Sequence, residues 1–344
     1  MTMKKYVMRW PVVLSVLLVV FFAVFLLWKG PQGRLIQRGM NLVVEQIGHY
    51  SLSALESDLQ QMRALGVQWV AVVVIWYQAD AQATEITPNL QRSLDDETLV
   101  QLLRRLRERG FRIFLRPMVD VQDGRWRGEI ALTSEDDWNT WFQSYERFLL
   151  HYARLAAQED AALFSVGVEL EQTMPREHQW RELIARVRKA YHGSLTYSAN
   201  WDGFELVPFW DALDYLGIDA YFDLDLSPEP TLDDLMTAWQ PWVRHLERFA
   251  ARVRKPIVFT EIGVRSVQGA GRHPWDWHYE APISMQEQAN YYEAAFQVFW
   301  EQLWLAGFYV WAWVPSRAGP GDASYTPAGK PAASILKRWY TQQR

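Results

Sequence analysis

The chain has 344 residues, with 35 basic and 40 acidic side chains, a formal net charge of −5 and no cysteine. That balance offers no broad basic surface for nucleic acid, and the missing thiols exclude disulfides, thiolate metal sites and a cysteine nucleophile. Tryptophan is the compositional outlier at 19 copies, and its amphipathic ring suits both core packing and stacking on the flat apolar faces of sugars.

In chain order, the first predicted element is a membrane anchor. Residues 11–28 form an 18-residue stretch without a charge, led by Lys4, Lys5 and Arg9 and closed by Lys29. That is long enough to cross a hydrocarbon core of roughly 30 Å. The stretch ends in Phe25, Leu26, Leu27 and Trp28 rather than in small residues, which favours an uncleaved signal anchor over a cleaved signal. Basic residues flank it almost evenly, Lys29, Arg34 and Arg38 against Lys4, Lys5 and Arg9, so the positive-inside count discriminates little. The expectation is a cytoplasmic stub and single-pass anchor over residues 1–30, with residues 31–344 as one extracytoplasmic domain at the cell membrane; secretion after signal cleavage is the alternative.

Beyond the anchor, apolar runs of strand length alternate with stretches of helical period, the pattern of repeated βαβ units around a parallel sheet. Strands are predicted at 39–45, 69–76, 112–120, 163–169, 194–200, 215–222, 256–263 and 308–314. Helices are predicted at 53–65, 95–109, 138–158, 178–192, 232–253, 285–303 and 332–340, with a short helical piece near 207–213. Ser53 and Glu56 have capping-box spacing, and Gly66, Gly110 and Gly193 follow helix ends. Eight strands and eight helices fit an α/β fold of the (β/α)8 TIM barrel type, about 250 residues with insertions.

In such a barrel the strand carboxyl ends build the active site. The residues there are Asn41 and Glu45; Trp76, Tyr77 and Gln78; Arg116 and Asp120; Glu169 and Glu171; Asn200, Trp201 and Asp202; Asp219, Tyr221 and Asp223; Glu261; and Trp311 and Trp313. This ring is rich in carboxylates and aromatics. The seven histidines lack ligand spacing, so no metal is expected, and no glycine-rich phosphate loop is present. No cofactor and no obligate protein partner are expected.

Hydrolysis of an acetal needs one protonated carboxyl and one ionised, about 5 to 5.5 Å apart for retention and about 6.5 to 9.5 Å for inversion. Glu169 and Glu261, at the ends of the fourth and seventh predicted strands, are the candidate pair. Glu261 is expected to be kept ionised by donors, with Tyr221 as one, and Glu169 to sit among apolar neighbours. Glu171 shares strand parity with Glu169 and is an alternative acid, a substrate ligand or an arginine partner. Arg116 and Asp120 share parity as well, as an interior ion pair or as ligand contacts. Asn200 and Trp201 are candidate sugar contacts, Trp76 a further mouth aromatic, and Trp311 and Trp313 are expected on one side of the last strand, one packing and one stacking. A carbohydrate-binding barrel without turnover is the competing class.

Several runs also resemble a known group. Ser165-Val166-Gly167-Val168-Glu169-Leu170-Glu171, Phe259-Thr260-Glu261-Ile262-Gly263 and Tyr325-Thr326-Pro327-Ala328-Gly329-Lys330-Pro331-Ala332 are similar to motifs of glycoside hydrolase family 113, in clan A of the retaining glycosidases. So are Asp123-Gly124-Arg125-Trp126-Arg127-Gly128-Glu129-Ile130 and Pro208-Phe209-Trp210-Asp211-Ala212-Leu213-Asp214-Tyr215. The likeness runs over about residues 39–340. It implies a TIM barrel and endo-hydrolysis of β-1,4-mannosidic bonds with net retention, with Glu169 as acid/base and Glu261 as nucleophile. It also implies a hydrogen bond from Tyr221 to the nucleophile and a sugar subsite floored by the strand-8 tryptophans. Where that family commonly carries Thr or Cys, His, and Thr, this chain has Val168, Met118 and Ile75, each swap removing a polar group from the expected mouth. The expected substrate is therefore an oligo- or polysaccharide of the β-mannan class, with a β-glucan or β-xylan as the alternative within the clan.

Overall fold

Eight β-rich apolar runs, too short to be helices and each buried on both faces, can satisfy their backbone groups only in a parallel sheet covered by helices. The computed structural model describes residues 36–43, 52–227, 229–315 and 319–342. The anchor predicted over residues 11–28 and the predicted strand end at Glu45 lie outside the described residues. Among the described residues, no helix is long and apolar enough to cross a membrane.

The strands are β1 (Gln37–Leu42), β2 (Trp69–Gln78), β3 (Arg112–Val121), β4 (Leu163–Val168), β5 (Ser194–Asn200), β6 (Leu216–Asp219), β7 (Ile257–Ile262) and β8 (Leu305–Trp313). All pair in parallel, each with its sequence neighbour, and β8 closes on β1 to make the barrel. The helices are α1 (Leu52–Ala64), α2 (Asp96–Glu108), α3 (Glu135–Gln158), α4 (Glu177–Ala190), α5 (Leu232–Val253), α6 (Met285–Phe299) and α7 (Pro331–Tyr340).

Differences from the predicted elements have local causes. Between β5 and β6 the predicted helical piece is replaced by two single 3-10 turns, Phe204–Leu206 and Trp210–Ala212. Pro208 lies between them, where it denies a helix a backbone donor, and Trp210 Nε1 donates to Phe204 O at 2.8 Å to tie the turns together. Helix α1 begins at Leu52, so Ser53 lies inside its first turn and not at the cap position that the Ser53–Glu56 spacing suggested. Helix α3 starts three residues before its predicted start because Ser134 caps it, accepting from Asp137 N at 3.1 Å. Glu135, Asp136 and Asp137 then place negative charge at the positive end of the helix dipole. A full capping box closes α5, with Thr231 and Asp234 each accepting the other's backbone N–H.

Strand parity sorts the barrel interior into layers. Trp69, Ala71, Phe114, Leu163, Val258, Ala306 and Tyr309 form an apolar plug at the amino-terminal end. A polar layer follows, with Asn41, Arg116, Asp219 and Thr260 buried. Above it Val73, Met118 and Val168 pack together with the half-buried Ile75 and Trp311.

Candidate active site

The polar layer is held together by one guanidinium. Arg116 on β3 is 1% exposed; its Nη1 donates to Asn41 Oδ1 on β1 at 2.7 Å and lies 2.8 Å from Glu261 Oε1 on β7, while Nη2 reaches Asp219 Oδ1 on β6 at 3.2 Å. Asn41 is fixed in turn by donating to Thr260 O at 3.0 Å. Four strands are thus tied across the interior by charged or amide side chains.

A bulge explains how two consecutive residues of β7 join this layer. From Ile218 to Asp219, β6 advances one residue while its partner advances two, from Phe259 to Glu261, and the extra residue breaks the two-residue alternation. Thr260 therefore donates from Oγ1 to Asp219 Oδ1 at 2.7 Å, and the next side chain, Glu261, also points inward. Tyr221, just after β6, donates to Glu261 Oε2 at 2.6 Å. Both oxygens of Glu261 are occupied by donors.

Burial still raises the Glu261 carboxyl above its ordinary range; Arg116 pulls it down, the charge of Glu169 pushes it up, and the Tyr221 hydrogen bond lowers it. The donors expected to hold Glu261 ionised are present, but desolvation outweighs them. Asp219 is pushed further, well above its usual range, by burial and then by Glu261. Both carboxyls draw on the single guanidinium of Arg116. Tyr221 is itself pushed up by burial and then by Glu261, so it remains a neutral donor.

Glu169 follows β4 directly, in the left-handed region at φ 51°. A non-glycine residue there costs on the order of 1 kcal/mol and has to be held by its surroundings. Glu169 N donates to Ser198 O at 2.8 Å, and Leu170 N to Tyr197 Oη at 2.8 Å, both on β5. The side chain is not in the apolar setting expected for it. Its Oε2 accepts from Trp126 Nε1 at 3.0 Å and from Arg127 Nη1 at 2.7 Å. Those donors come from the loop after β3, where Arg127–Glu129 forms a single 3-10 turn. Gly128 permits the arrangement, since a Cβ there would sit 2.3 Å from the Trp126 ring. The sequence reading assigned no role to Trp126 or Arg127, although both lie in the Asp123 to Ile130 motif.

The remaining predicted site residues divide. Asp120 is at the mouth and pairs with Arg127 at 3.5 Å, whereas Arg116 pairs with Asp219 and Glu261; of the two readings of Arg116 and Asp120, the interior pair between them is not formed. Glu171 is not on the strand, because β4 ends at Val168 and Glu171 opens a 3-10 turn. Its parity with Glu169 is therefore lost. Among the described residues its Oε1 is buried without a hydrogen-bond partner, and a Cβ at Gly203 would lie 2.7 Å from that oxygen. Burial, then the charge of Asp202, raises Glu171 to about 7, partly offset by Asn200. Asn200 also donates to Asp202 Oδ1 at 2.8 Å. Trp201 is half-buried, edge-on to Phe222 and Trp242.

Two tryptophans lie away from the mouth. Trp76 follows the outward parity of Val70, Val72 and Val74 and packs on Phe148, His151 and Tyr152 of α3. Trp313 is 1% exposed and donates from Nε1 to Asp58 Oδ1 on α1 at 2.8 Å. It does not share a side with Trp311, because β8 advances three residues, Val310 to Trp313, against two on β1, Met40 to Leu42. Trp311 alone faces the mouth, over Val73, Met118 and Val168.

This geometry can be set beside known proteins. The model of Glycoside Hydrolase Family 113 matches residues 42–330. The chain belongs to glycoside hydrolase family 113. As a family-113 protein it is a retaining glycoside hydrolase built on a (β/α)8 barrel. It is similar to a solved GH113 β-1,4-mannanase in complex, with 28% identity and a TM-score of 0.82 over 90% of this chain and 99% of that one. It is similar to the GH113 β-mannanase AaManA from Alicyclobacillus acidocaldarius, in complex with ManMIm, with 29% identity and a TM-score of 0.82 over 89% and 97% of the two chains. A third GH113 β-1,4-mannanase structure shares 31% identity and a TM-score of 0.79 over 90% and 99%. The fold alone is shared with a β-glucuronidase from Ruminococcus gnavus, at 16% identity and a TM-score of 0.62 over 88% of this chain and 50% of that one. No curated protein matches the chain.

Proposed function

We propose that this family-113 hydrolase is an endo-β-1,4-mannanase acting by double displacement, with Glu261 as nucleophile and Glu169 as acid/base. In the first half, a Glu261 oxygen bonds to the anomeric carbon as the glycosidic bond breaks and Glu169 passes its proton to the leaving oxygen. In the second, water attacks that carbon, its proton passes to Glu169, and Glu261 leaves as carboxylate. The observation that carries the assignment is the double hold on Glu261, with Arg116 at 2.8 Å and Tyr221 at 2.6 Å, which fixes its aim and offsets part of the cost of burying its charge. Glu169 comes from a different strand end, and its charge still acts on Glu261. Mannan as substrate is supported by the family-113 structures that the chain is similar to, which are β-1,4-mannanases.

A second reading, hydrolysis of another β-linked glycan, is favoured by one feature. Val73, Met118, Val168, Ile75 and Trp311 make an apolar wall at the mouth, and a wall whose one side-chain N–H or O–H donor is the Trp311 indole discriminates weakly between hydroxyl patterns. A panel of mannan, glucomannan, β-glucan and xylan oligosaccharides, with anomer-resolved NMR of the first products, tests both readings. Release of β-configured products from mannan is expected; cleavage of xylan or β-glucan with mannan untouched overturns the mannanase reading. Glu261→Ala is expected to lower turnover by several orders of magnitude while binding persists, and unchanged turnover in that variant removes the nucleophile assignment.

We also propose that residues 11–28 anchor the enzyme in the cell membrane with the barrel outside. Support is their charge-free length. Recovery of the full chain in the carbonate-resistant membrane fraction, with the barrel open to added protease in intact cells, is the expected result; a soluble full-length chain refutes it.

A further inference from the structure

Of the described tryptophans, three are exposed. Trp126 is bonded to Glu169, but Trp275 and Trp277, 47% and 67% exposed, lie on the loop after β7 and take no part in the chemistry above. That loop is braced. Its ends are joined by an antiparallel bridge between Val267 and Ile283, and Gln268 N donates to Pro282 O at 2.9 Å. The buried carboxyl of Glu287 on α6 accepts from Gly269 N at 2.8 Å and from Gly271 N at 3.2 Å. Arg265 donates from Nη1 to Trp277 O at 3.2 Å and to Tyr279 O. An indole left in water forgoes the gain of burial, so a backbone fixed at this many points beneath two exposed rings marks a surface kept for a partner.

The loop is also joined to the mouth. Tyr325 Oη donates to Pro274 O at 2.8 Å, and the Tyr325 ring meets the Tyr221 ring edge-on, 6.5 Å between centroids, while the Tyr221 hydroxyl holds Glu261. His273 lies 3.5 Å from Asp223, which follows Tyr221 in the loop after β6, and its ring is 5.8 Å from that of Trp275. The two indoles therefore stand on the rim that carries Glu261, outside the side chains that hold it. We propose that Trp275 and Trp277 form a distal stacking platform for a glycan chain, gripping a sugar unit beyond those at the cleaved bond. The inference rests on the reading of the barrel mouth as the glycan site. A pyranose presents a face of C–H bonds, and an indole ring covers such a face. Residues 273–280 carry Asp276 and Glu280 against no lysine or arginine, which suits a neutral polymer and disfavours an anionic lipid surface. Binding made this far from the reacting atoms is the same in the ground and transition states, so it acts on KM and not on kcat. It is felt only by a chain long enough to reach the rim.

The test uses the full chain in non-ionic detergent, the variants Trp275→Ala and Trp277→Ala, their double variant, and Leu303→Ala, which removes an exposed side chain from the opposite rim, just before β8. Native gels cast with glucomannan, mixed-linkage β-glucan or arabinoxylan read polymer binding without turnover. Kinetics compare the 4-nitrophenyl disaccharide glycoside with the hexasaccharide of whichever sugar the wild type cleaves, and the gels alone decide where it cleaves none. Each tryptophan variant is expected to weaken retardation in the gel and to raise KM on the hexasaccharide by about threefold to tenfold, as loss of one stacked ring does. Its kcat, its KM on the short glycoside and its unfolding midpoint are expected to stay at the wild-type values, and Leu303→Ala to match the wild type throughout. A double variant that is retarded like the wild type overturns the proposal, and so do equal losses on the short and the long substrate. Wild-type chain that is retarded in no gel and cleaves no glycoside overturns the glycan-site reading beneath it, a result distinguishable because it does not involve the variants.

Discussion

The two carboxylates of this site are held in opposite ways. Glu261 is gripped from inside the barrel, by Arg116 from β3 and by Tyr221 at the end of β6, all almost fully buried. Glu169 is gripped from outside, by a loop that reaches over from β3 and by backbone bonds to β5 that keep it in a left-handed conformation. The proposed nucleophile, whose aim must not change, is set in the buried layer. The proposed acid/base sits at the open mouth, where side chains of a loop and not of the barrel layer hold it.

The largest expected effect is on the rigid half. Arg116→Met leaves Asp219 and Glu261 buried without their shared cation, and breaking such a pair from one side costs about 3–5 kcal/mol. Denaturant unfolding is expected to show that loss together with loss of turnover. A variant of wild-type stability shows that the interior carboxyls compensate by protonation, and erases the contrast between the two halves. Tyr221→Phe comes next. A hydrogen bond to a charged group is worth about 1.5–3 kcal/mol, so kcat/KM is expected to fall roughly tenfold to a hundredfold, with a loss in unfolding free energy smaller than that of Arg116→Met.

The last strand offers a smaller version of the same test, since Trp311 and Trp313 lie two residues apart with opposite environments. Trp311→Ala is expected to raise KM for oligosaccharides with stability nearly unchanged. Trp313→Phe gives up the bond to Asp58 and is expected to cost about 1 kcal/mol of stability without touching KM. The reverse pattern, measured by kinetics and thermal unfolding on both variants, shows that the bulge in β8 does not redirect the strand.

What could be read from the sequence follows the same division. Strand and helix periods give the barrel, and its closure then puts Glu169, Tyr221 and Glu261 at one end, because those residues sit at or just past strand carboxyl ends. Trp76, expected at the mouth, was misplaced although its even-numbered parity with Val70, Val72 and Val74 points outward, onto Phe148, His151 and Tyr152. Trp313 was not legible, nor was the inward turn of the Glu261 side chain directly after the inward Thr260, because a bulge shifts parity and depends on the neighbouring strand's register rather than on local sequence. Nor was the Arg127 contact, which joins a loop after β3 to a residue after β4; period and propensity carry no information about where a loop folds back. The only signal was the Trp126-Arg127-Gly128 run, whose glycine leaves room for the indole.

The smallest effect bears on the outer half alone. Glu171 is raised to about 7 from an ordinary 4.5 by burial and then by Asp202, so between those values the folded chain binds more protons than the unfolded one. Stability from this group is therefore fully present below about pH 4.5 and is lost as pH rises through about 7. Glu171→Gln removes the titration, and the variant is expected to gain on the wild type steadily from acid to neutral pH. Partial exposure limits the gain to about 1–2 °C in Tm. Thermal scans of both proteins across that range decide it: a Tm difference that stays flat with pH means Glu171 already shares its charge with a partner, and the loop side of the site is then as firmly compensated as the barrel side.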